Sequence, residues 1–533
     1  MTITAQPGFP SPLQPPVQGS SSAGLSETTP LLAPAHGTDH SPFSKRSLAH
    51  WTNNIRDLRF PRIFRSKNVQ PHTTEIYYSV FRAPPDIHPL EKLPAAGFLD
   101  SGPTTKQDFE RIVASGAAAI ELGIKPRLIS SGSSGSYYVY NANYEPIGVF
   151  KPQDEEPYGP LSPKMTKWIH RNFFPCFFGR SCLIPNTGYI AESATSLLDR
   201  QLQTHIVPYT DIVTLSSDSF YYPFYEKIGY VLRKKKPRHK VGSFQLYLDG
   251  YVGADEFFRR HPLPHQGPAQ TATTQTAGTF EWTADTLSQL QREIEKLVIL
   301  DFIVRNTDRG LDNWMLKIEH ENGRAQVRLG AIDNGLSLPW KHPNEWRSFP
   351  FGWLFLPISI IGQPFSVQTR NHFLPLLTSK AWWEDTSVLL REMLSRDPGF
   401  KERMFRKQLA VLKGQAWNVV QTLLVPGQSP LDLARKPRML VEDSEIEVPF
   451  TNPIPMIVNA MESSITDSSI PVGKDLQNNW NSYLSGKIDE SKWEEGNTSI
   501  LDQGIQLVSV GTKTVIVERL QPVTSRPPVF TCC

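Results

Sequence analysis

The sequence predicts an α+β domain built as two lobes and flanked by disordered tails. Strand-like runs come early in the dense middle of the chain and helix-like runs come late. Sustained apolar periodicity is confined to about residues 110–430, and both flanks are polar, low-complexity sequence unable to bury enough apolar surface to offset the entropy of ordering.

The elements follow in order. Residues 1–75 read as a disordered N-terminal tail: the first 44 carry eight prolines and only Glu27 and Asp39 as charges. The first lobe spans about 110–250. Within it, Tyr137 to Tyr140 is an aromatic, β-branched run, Asn141 to Pro146 is turn-like, and Ile147 to Phe150 is a second strand leading to Lys151. Residues 265–280, HQGPAQTATTQTAGTF, are a low-complexity insert. The second lobe spans about 281–430. Leu287, Leu290, Ile294, Leu297 and Val298 recur at helical spacing, and Phe405, Leu409, Leu412, Ala416, Val419 and Leu423 do so up to Pro426. Residues 431–533 read as a mostly disordered tail with one strand-like alternation at Ile505 to Val517.

Composition narrows the function. A hydrophobic share of 39% with 11% aromatic residues supplies a sizeable core, and a net charge of +3 over 533 residues argues against a dedicated nucleic-acid binder. No apolar run reaches the roughly 18 residues of a membrane span; the nearest, Trp353 to Gly362, is broken by Pro357. The first basic residue is Lys45, so the N-terminus lacks the charged start of a signal peptide. Four cysteines, Cys176, Cys182, Cys532 and Cys533, make neither a disulfide framework nor a zinc site, which predicts an intracellular protein, soluble or membrane-anchored.

Three motifs carry chemistry. Ser130 to Ser136, including Gly132, Ser133, Ser134 and Gly135, is a small-residue loop whose backbone N–H groups can approach phosphate oxygens, and Lys151 on the next strand supplies a point charge to them. It is not a P-loop. In Arg305-Asn-Thr-Asp308-Arg-Gly-Leu-Asp-Asn313, Asp308 and Asn313 stand five apart, as in a phosphotransferase catalytic loop. There the carboxylate accepts the attacking hydroxyl's proton and the Asn oxygen ligates a metal ion. Asp333, after an apolar strand and before Asn-Gly, suits a metal-binding carboxylate that bridges nucleotide phosphates. Each motif alone is also an ordinary loop or turn. Their order, small-residue loop, strand lysine, D-x-x-x-x-N loop, strand aspartate, is that of a kinase fold.

The stretches SSGSSGSYYV, GVFKPQDEEPYGPLSPKMTKW, KVGSFQLYLDGY, LDFIVRNTDRGLDNWMLK and AIDNGLSLPWKHPNEWRSFPFGW resemble type II phosphatidylinositol 4-kinases of fungal type, over roughly 115–435. The resemblance implies a two-lobed protein-kinase-like lipid-kinase fold. It implies phosphorylation of the 4-hydroxyl of phosphatidylinositol with ATP and Mg2+, or Mn2+, giving phosphatidylinositol 4-phosphate. Lys151 and Gly132 to Ser136 would hold the phosphates, and Gln245, Leu246, Tyr247 and Leu248 would meet the adenine. Asp308 would be the catalytic acid/base, and Asn313 and Asp333 the metal ligands. Glu192 and Asp199 are both candidate acidic partners of Lys151, and the sequence does not choose between them.

The resemblance also implies a site of action on the cytosolic face of endosomal, Golgi and vacuolar membranes, with the plasma membrane a further candidate. The family's palmitoylated Cys-Cys-Pro-Cys-Cys run stands here as Phe173-Phe174-Pro175-Cys176-Phe177, so only Cys176 occupies an acylation position. Cys182 lies beyond it. Phe173, Phe174, Phe177 and Phe178 would insert into the bilayer, with Lys164, Lys167, Arg171 and Arg180 meeting anionic headgroups; the other reading is a buried aromatic cluster of the first lobe. The basic run from Arg233 to Lys240 reads as a second anionic-lipid contact, a nuclear signal or a solvated loop. Trp51 to Arg65 interleaves aromatic and basic residues. Glu27 with Leu31 and Leu32 matches an acidic dileucine signal for a vesicle-coat adaptor, and Cys532-Cys533 reads either as a terminus with unmodified thiols or, by resemblance, as a doubly prenylated one. Two other readings stand beside the lipid kinase: a protein kinase, although its HRD and DFG signatures are absent, and a non-catalytic kinase-like adaptor.

Overall fold

The computed structural model describes residues 74–94, 97–130, 135–156, 180–224, 226–227, 237–264, 280–344, 348–449 and 512–523. Gly132, Ser133, Ser134, the run from Phe173 to Phe178 with Cys176, Cys532, Cys533, the Glu27–Leu32 signal, Trp51 to Arg65 and the 265–280 insert (His265 to Gly278 with Thr279) fall outside them.

The first lobe grows from the aromatic hairpin. Strands β2 (Arg127–Leu128), β3 (Tyr137–Tyr140), β4 (Pro146–Pro152), β5 (Thr210–Leu215) and β6 (Lys240–Leu246) form an antiparallel sheet in the order β2-β3-β4-β6-β5. Alternation along β3 and β4 turns Tyr137, Val139 and Phe150 inward, where they join Phe109, Tyr209, Phe220 and Phe244 in one buried cluster. Phe109 comes from helix α1 (Lys106–Glu121), which a Thr105/Asp108 capping box starts. Its ring stacks on Tyr209 at 4.7 Å between centroids.

Helix α2 (Gly188–Gln201) runs behind this sheet with nearly every residue buried. After β7 (Val252–Gly253) and α3 (Ala254–Arg260), the second lobe is built on α4 (Ala284–Ile303), the antiparallel pair β8 (Trp314–Glu321) and β9 (Arg324–Ala331), and a run of helices. Those helices are α5 (Ile358–Ile361), α6 (Val367–Leu377), α7 (Lys380–Ser395), α8 (Glu402–Leu424) and α9 (Pro430–Ala434). The helical repeats read from sequence fall on α4 and α8, and all six α8 positions from Phe405 to Leu423 are buried.

Two stretches of the chain beyond 431 are built into the fold. Strand β10 (Met439–Pro449) pairs antiparallel with β11 (Thr512–Pro522) along eleven positions, and β11 pairs in parallel with β1 (Ile76–Tyr78). The strand expected at Ile505 to Val517 overlaps β11 over 512–517; β11 continues to Pro522, and 505–511 lie outside the described residues. Val441, Val448, Val515 and Val517 are buried, so these strands finish a core that the helices leave open. Gly414 lets β10 lie directly on α8, because a Cβ there would strike the Met439 carbonyl. The interface also buries an ionic cluster. Lys413 Nζ bonds Asp443 Oδ1 at 2.7 Å and Glu518 Oε1 at 2.8 Å, while Glu518 Oε2 accepts from Ser79 Oγ and Val80 N. His342 Nε2 meets the Met439 carbonyl at 2.8 Å, and burial pushes its imidazole down to about 4.

Candidate active site

Lys151 lies on β4, where the alternation that buries Phe150 turns the lysine the other way, into the cleft. Its Nζ reaches Glu192 Oε1 and Asp333 Oδ1, each at 2.6 Å. Burial opposes the ammonium, but the carboxylates of Asp333 and Glu192 more than offset it and hold the group above its usual pKa. Glu192, in the first turns of α2, is thus the acidic partner. Its other oxygen accepts from Asn334 N at 3.1 Å, which ties α2 to the Asp333 loop. Asp199, the other candidate, is consumed elsewhere: it takes the amides of Ile206 and Val207 and the Thr204 hydroxyl, and burial raises it to about 6.

Asp333 follows β9 with a left-handed φ of 58°, a conformation that an aspartate tolerates better than most residues. The Lys151 ammonium holds its carboxyl below the usual range. Asp308 and Asn313 follow α4. Asp308 N donates to Asn306 Oδ1 at 2.9 Å, and Asn313 Nδ2 donates to the Asp308 carbonyl at 2.6 Å, which leaves Asn313 Oδ1 as the free end of the amide.

Arg309, between them, is wholly buried and fastens the catalytic loop to the Asp333 loop. Its Nε donates to Asp301 Oδ2 at 2.9 Å, its Nη1 donates to the carbonyls of Asn313 and Ile332, and its Nη2 donates to Asn334 Oδ1. Burial raises the Asp301 carboxyl while Arg309 lowers it. A rigid five-donor fork suits such a junction.

Lys151, Glu192, Asp308, Asn313 and Asp333 line one cavity of about 730 Å³ between the first-lobe sheet and the β8–β9 pair. Gly135 and Ser136, from the small-residue loop, border it, as do Gln245, Leu246, Tyr247 and Leu248 at the end of β6. Gly135 is held by its amide to the Glu155 carbonyl at 3.1 Å. Glu155 is itself pinned by Tyr137 and Lys240.

The lining offers polar atoms in need of a ligand. Among the described residues, Gln245 Nε2, Ser243 Oγ, Asn186 Oδ1 and Arg180 Nε are buried without a hydrogen-bond partner, and all four residues border the cavity. A polar, anionic ligand such as a nucleotide fits this lining. The Asp333 carboxylate and Asn313 Oδ1 are hard oxygen donors, suited to Mg2+ completed by substrate phosphates and water.

The chain that builds this site matches a known family. Residues 132–420 match the phosphatidylinositol 3- and 4-kinase model. The chain belongs to the phosphatidylinositol 3- and 4-kinase family. It is 44% identical over 523 residues to the Saccharomyces cerevisiae protein named phosphatidylinositol 4-kinase LSB6, covering 86% of this chain and 82% of that one. It is 39% identical to the Danio rerio phosphatidylinositol 4-kinase type 2-beta, over 63% of this chain and 69% of that one. The type 2-alpha protein of the same organism matches at 38%, over 64% and 78%. The type II 4-kinase resemblance read from the motifs is met by these relatives.

Other sequence-derived candidates sit differently. Cys182 is 2% exposed, and burial pushes its thiol up, so this lipidation candidate is inaccessible. The basic run ends inside the lobe: Lys240 is buried on β6 against Asp154 and Glu155, and Arg238 pairs with Asp154 and Glu226. Buried as it is, Lys240 serves the fold; Arg233 to Lys236 lie outside the described residues. Arg180, expected at the headgroups, instead lies on Asp308. Among the described residues no helix is long and apolar enough to cross a membrane.

Proposed function

We propose that this protein transfers the γ-phosphate of ATP, with Mg2+, to the 4-hydroxyl of phosphatidylinositol in a membrane. The observation that carries this reading is the meeting of Lys151, Glu192 and Asp333 with Asp308 and Asn313 in one cavity. The names of the relatives supply the substrate and the ring position.

In the mechanism, Lys151 holds the nucleotide phosphates while Glu192 keeps its ammonium aimed into the cleft. Gln245 and the backbone at the end of β6 receive the adenine, and Gly135 and Ser136 border the phosphates. A metal ion bound by Asn313 and Asp333 would neutralise charge on the phosphates. Asp308 orients the inositol hydroxyl and takes its proton as the new O–P bond forms.

Lipid access is supported by an exposed apolar rim. The segment from Gly352 is bonded to the catalytic loop, Gly352 N to the Arg309 carbonyl at 2.7 Å, where a side chain could not fit. It then exposes Phe355 and Ile358 at 78% and 74%. Exposed apolar side chains on a segment bonded to the catalytic loop suit a substrate that arrives from the bilayer plane. Anionic headgroups as partners, and the endosomal, Golgi and vacuolar placement, rest on the resemblance alone.

The test is incubation of the purified protein with Mg-ATP and phosphatidylinositol vesicles, followed by headgroup chromatography. Phosphatidylinositol 4-phosphate is the expected product. A 3- or 5-phosphate would overturn the regiochemistry, and phosphorylation of protein alone would overturn the substrate class.

A further inference from the structure

The Arg180 guanidinium rests on the catalytic carboxylate, with Nη2 at 2.5 Å from Asp308 Oδ1. Three features place it there. Its carbonyl accepts Leu183 N at 2.9 Å, fixing the backbone in a turn ahead of α2. The guanidinium carbon stands 4.9 Å from the centre of the Phe349 ring, a cation–π distance. Its Nε is buried and, among the described residues, without a partner, so part of its donor capacity is unused. Among the described residues, Lys151 and Arg180 are the basic residues in the cavity lining. Lys151 is committed to Glu192 and Asp333.

We propose that Arg180 is a catalytic residue that binds the transferring phosphoryl group in the transition state. This rests on the phosphotransfer reading above and deepens it. An acceptor hydroxyl bonded to Asp308 lies about 3 Å from that carboxylate. In-line attack brings the γ-phosphorus to within roughly 3–3.5 Å of the same oxygen. The equatorial oxygens of the phosphoryl group therefore come within reach of a guanidinium that already touches Oδ1. The lipid's own phosphodiester is attached on the opposite side of the inositol ring from the 4-hydroxyl, away from Asp308.

The salt bridge to Asp308 parks the arginine beside the catalytic carboxylate. On substrate binding its planar donors turn to the phosphoryl oxygens, and the carboxylate is released to take the hydroxyl proton. The O–P bond to inositol forms, the bond to the β–γ bridging oxygen breaks, and that electron pair leaves on ADP. Arg180 forms no covalent bond and keeps its own protons; it stabilises charge that appears on the phosphoryl oxygens.

The experiment compares wild type with Arg180→Ala, Arg180→Lys and Arg180→Gln. It reads kcat and KM for ATP and for phosphatidylinositol vesicles, together with nucleotide binding and thermal unfolding. Arg180→Ala is expected to lose about 1,000-fold or more in kcat, the low end for an arginine on a transferring phosphoryl group, with both KM values within about threefold. Lysine should recover little, because a point charge does not replace the fork. Guanidinium ion at millimolar concentration should restore part of the Arg180→Ala rate but none of that of Asp308→Asn.

A raised KM for lipid at unchanged kcat would instead assign Arg180 to the substrate's phosphodiester and overturn the proposal. An unchanged or faster kcat would reduce it to a latch on Asp308, again overturning it. If the wild type phosphorylates no lipid, the proposed function fails. Slow transfer to water, read as ADP release, still tests Arg180: the proposal stands if Arg180→Ala slows that release and falls if it does not. Should Arg180→Ala not fold, the lysine and glutamine variants carry the same comparison.

Discussion

Replacing Lys413 by Met would leave two carboxylates, Asp443 and Glu518, facing each other inside the junction of α8 with the C-terminal strands. Lys413 is 1% exposed and Glu518 wholly buried, and the lysine bonds both acids at 2.7–2.9 Å. Removing one partner of a buried ion pair costs about 3–5 kcal/mol, because the remaining charge stays desolvated. At about 2 °C per kcal/mol for a domain of this size, the unfolding midpoint should fall by about 6–10 °C. Glu518→Gln keeps a polar side chain beside Ser79 and Val80 and loses a single charge-assisted bond, so it should cost less, about 1.5–3 kcal/mol.

The pH dependence gives an independent check. Burial already raises the Asp443 carboxyl, and Lys413 is what opposes that rise. Without the lysine, the folded variant binds protons that the unfolded chain releases at the same pH. Its stability therefore increases as pH falls from 7 toward the raised pKa values, and the deficit against wild type shrinks. Thermal unfolding at a fixed scan rate between pH 5 and pH 8 reads both effects. A Lys413→Met protein within about one degree of wild type, or a deficit that widens at low pH, would refute the reasoning.

Other perturbations follow from the same geometry. Glu192→Gln leaves Lys151 with Asp333 alone and loosens Asn334, and should lower kcat/KM for ATP by about 10- to 100-fold in steady-state assays. Arg309→Lys cannot reach Asp301, Asn313, Ile332 and Asn334 at once; it should destabilise by about 2–4 kcal/mol and raise the Mg2+ concentration needed for half-maximal turnover, read by metal titration. Glu156, which accepts the amides of Gly188 and Tyr189 at the start of α2, is pushed by burial up to about 7. Its folded pKa lies above its unfolded one, so the protein should lose stability as pH rises from about 4.5 through about 7, and Glu156→Gln should remove that loss in unfolding titrations.

Local pattern made much of the site legible. The hairpin around Lys151 declares itself by alternating aromatic residues, and α8 by apolar residues three and four apart. The D-x-x-x-x-N loop does so by spacing alone. Glu192 and Asp199 could not be separated because residues seven apart share a helix face; what differs is which end of α2 approaches Lys151, and that is tertiary. Strand β10 was hidden for a related reason. Its partner β11 is separated from it by residues 450–511, and β1 lies more than 430 positions before β11, so no local window contains the pairing. Lys240 looked like surface charge because its carboxylates, Asp154 and Glu155, stand some 85 positions earlier. Arg180 and Arg309 act through distant acceptors as well, and nothing in their neighbouring residues discloses it.

The account's central claim is that Asp308 performs the chemistry in a cleft whose nucleotide site is formed by other residues. The most direct measurement is kcat of Asp308→Asn on phosphatidylinositol vesicles at saturating Mg-ATP, with ATP affinity measured on the same protein. The account predicts a loss of at least about 1,000-fold in kcat, with ATP affinity within about threefold of wild type. Near-normal turnover with intact ATP binding would contradict it and remove Asp308 from the mechanism.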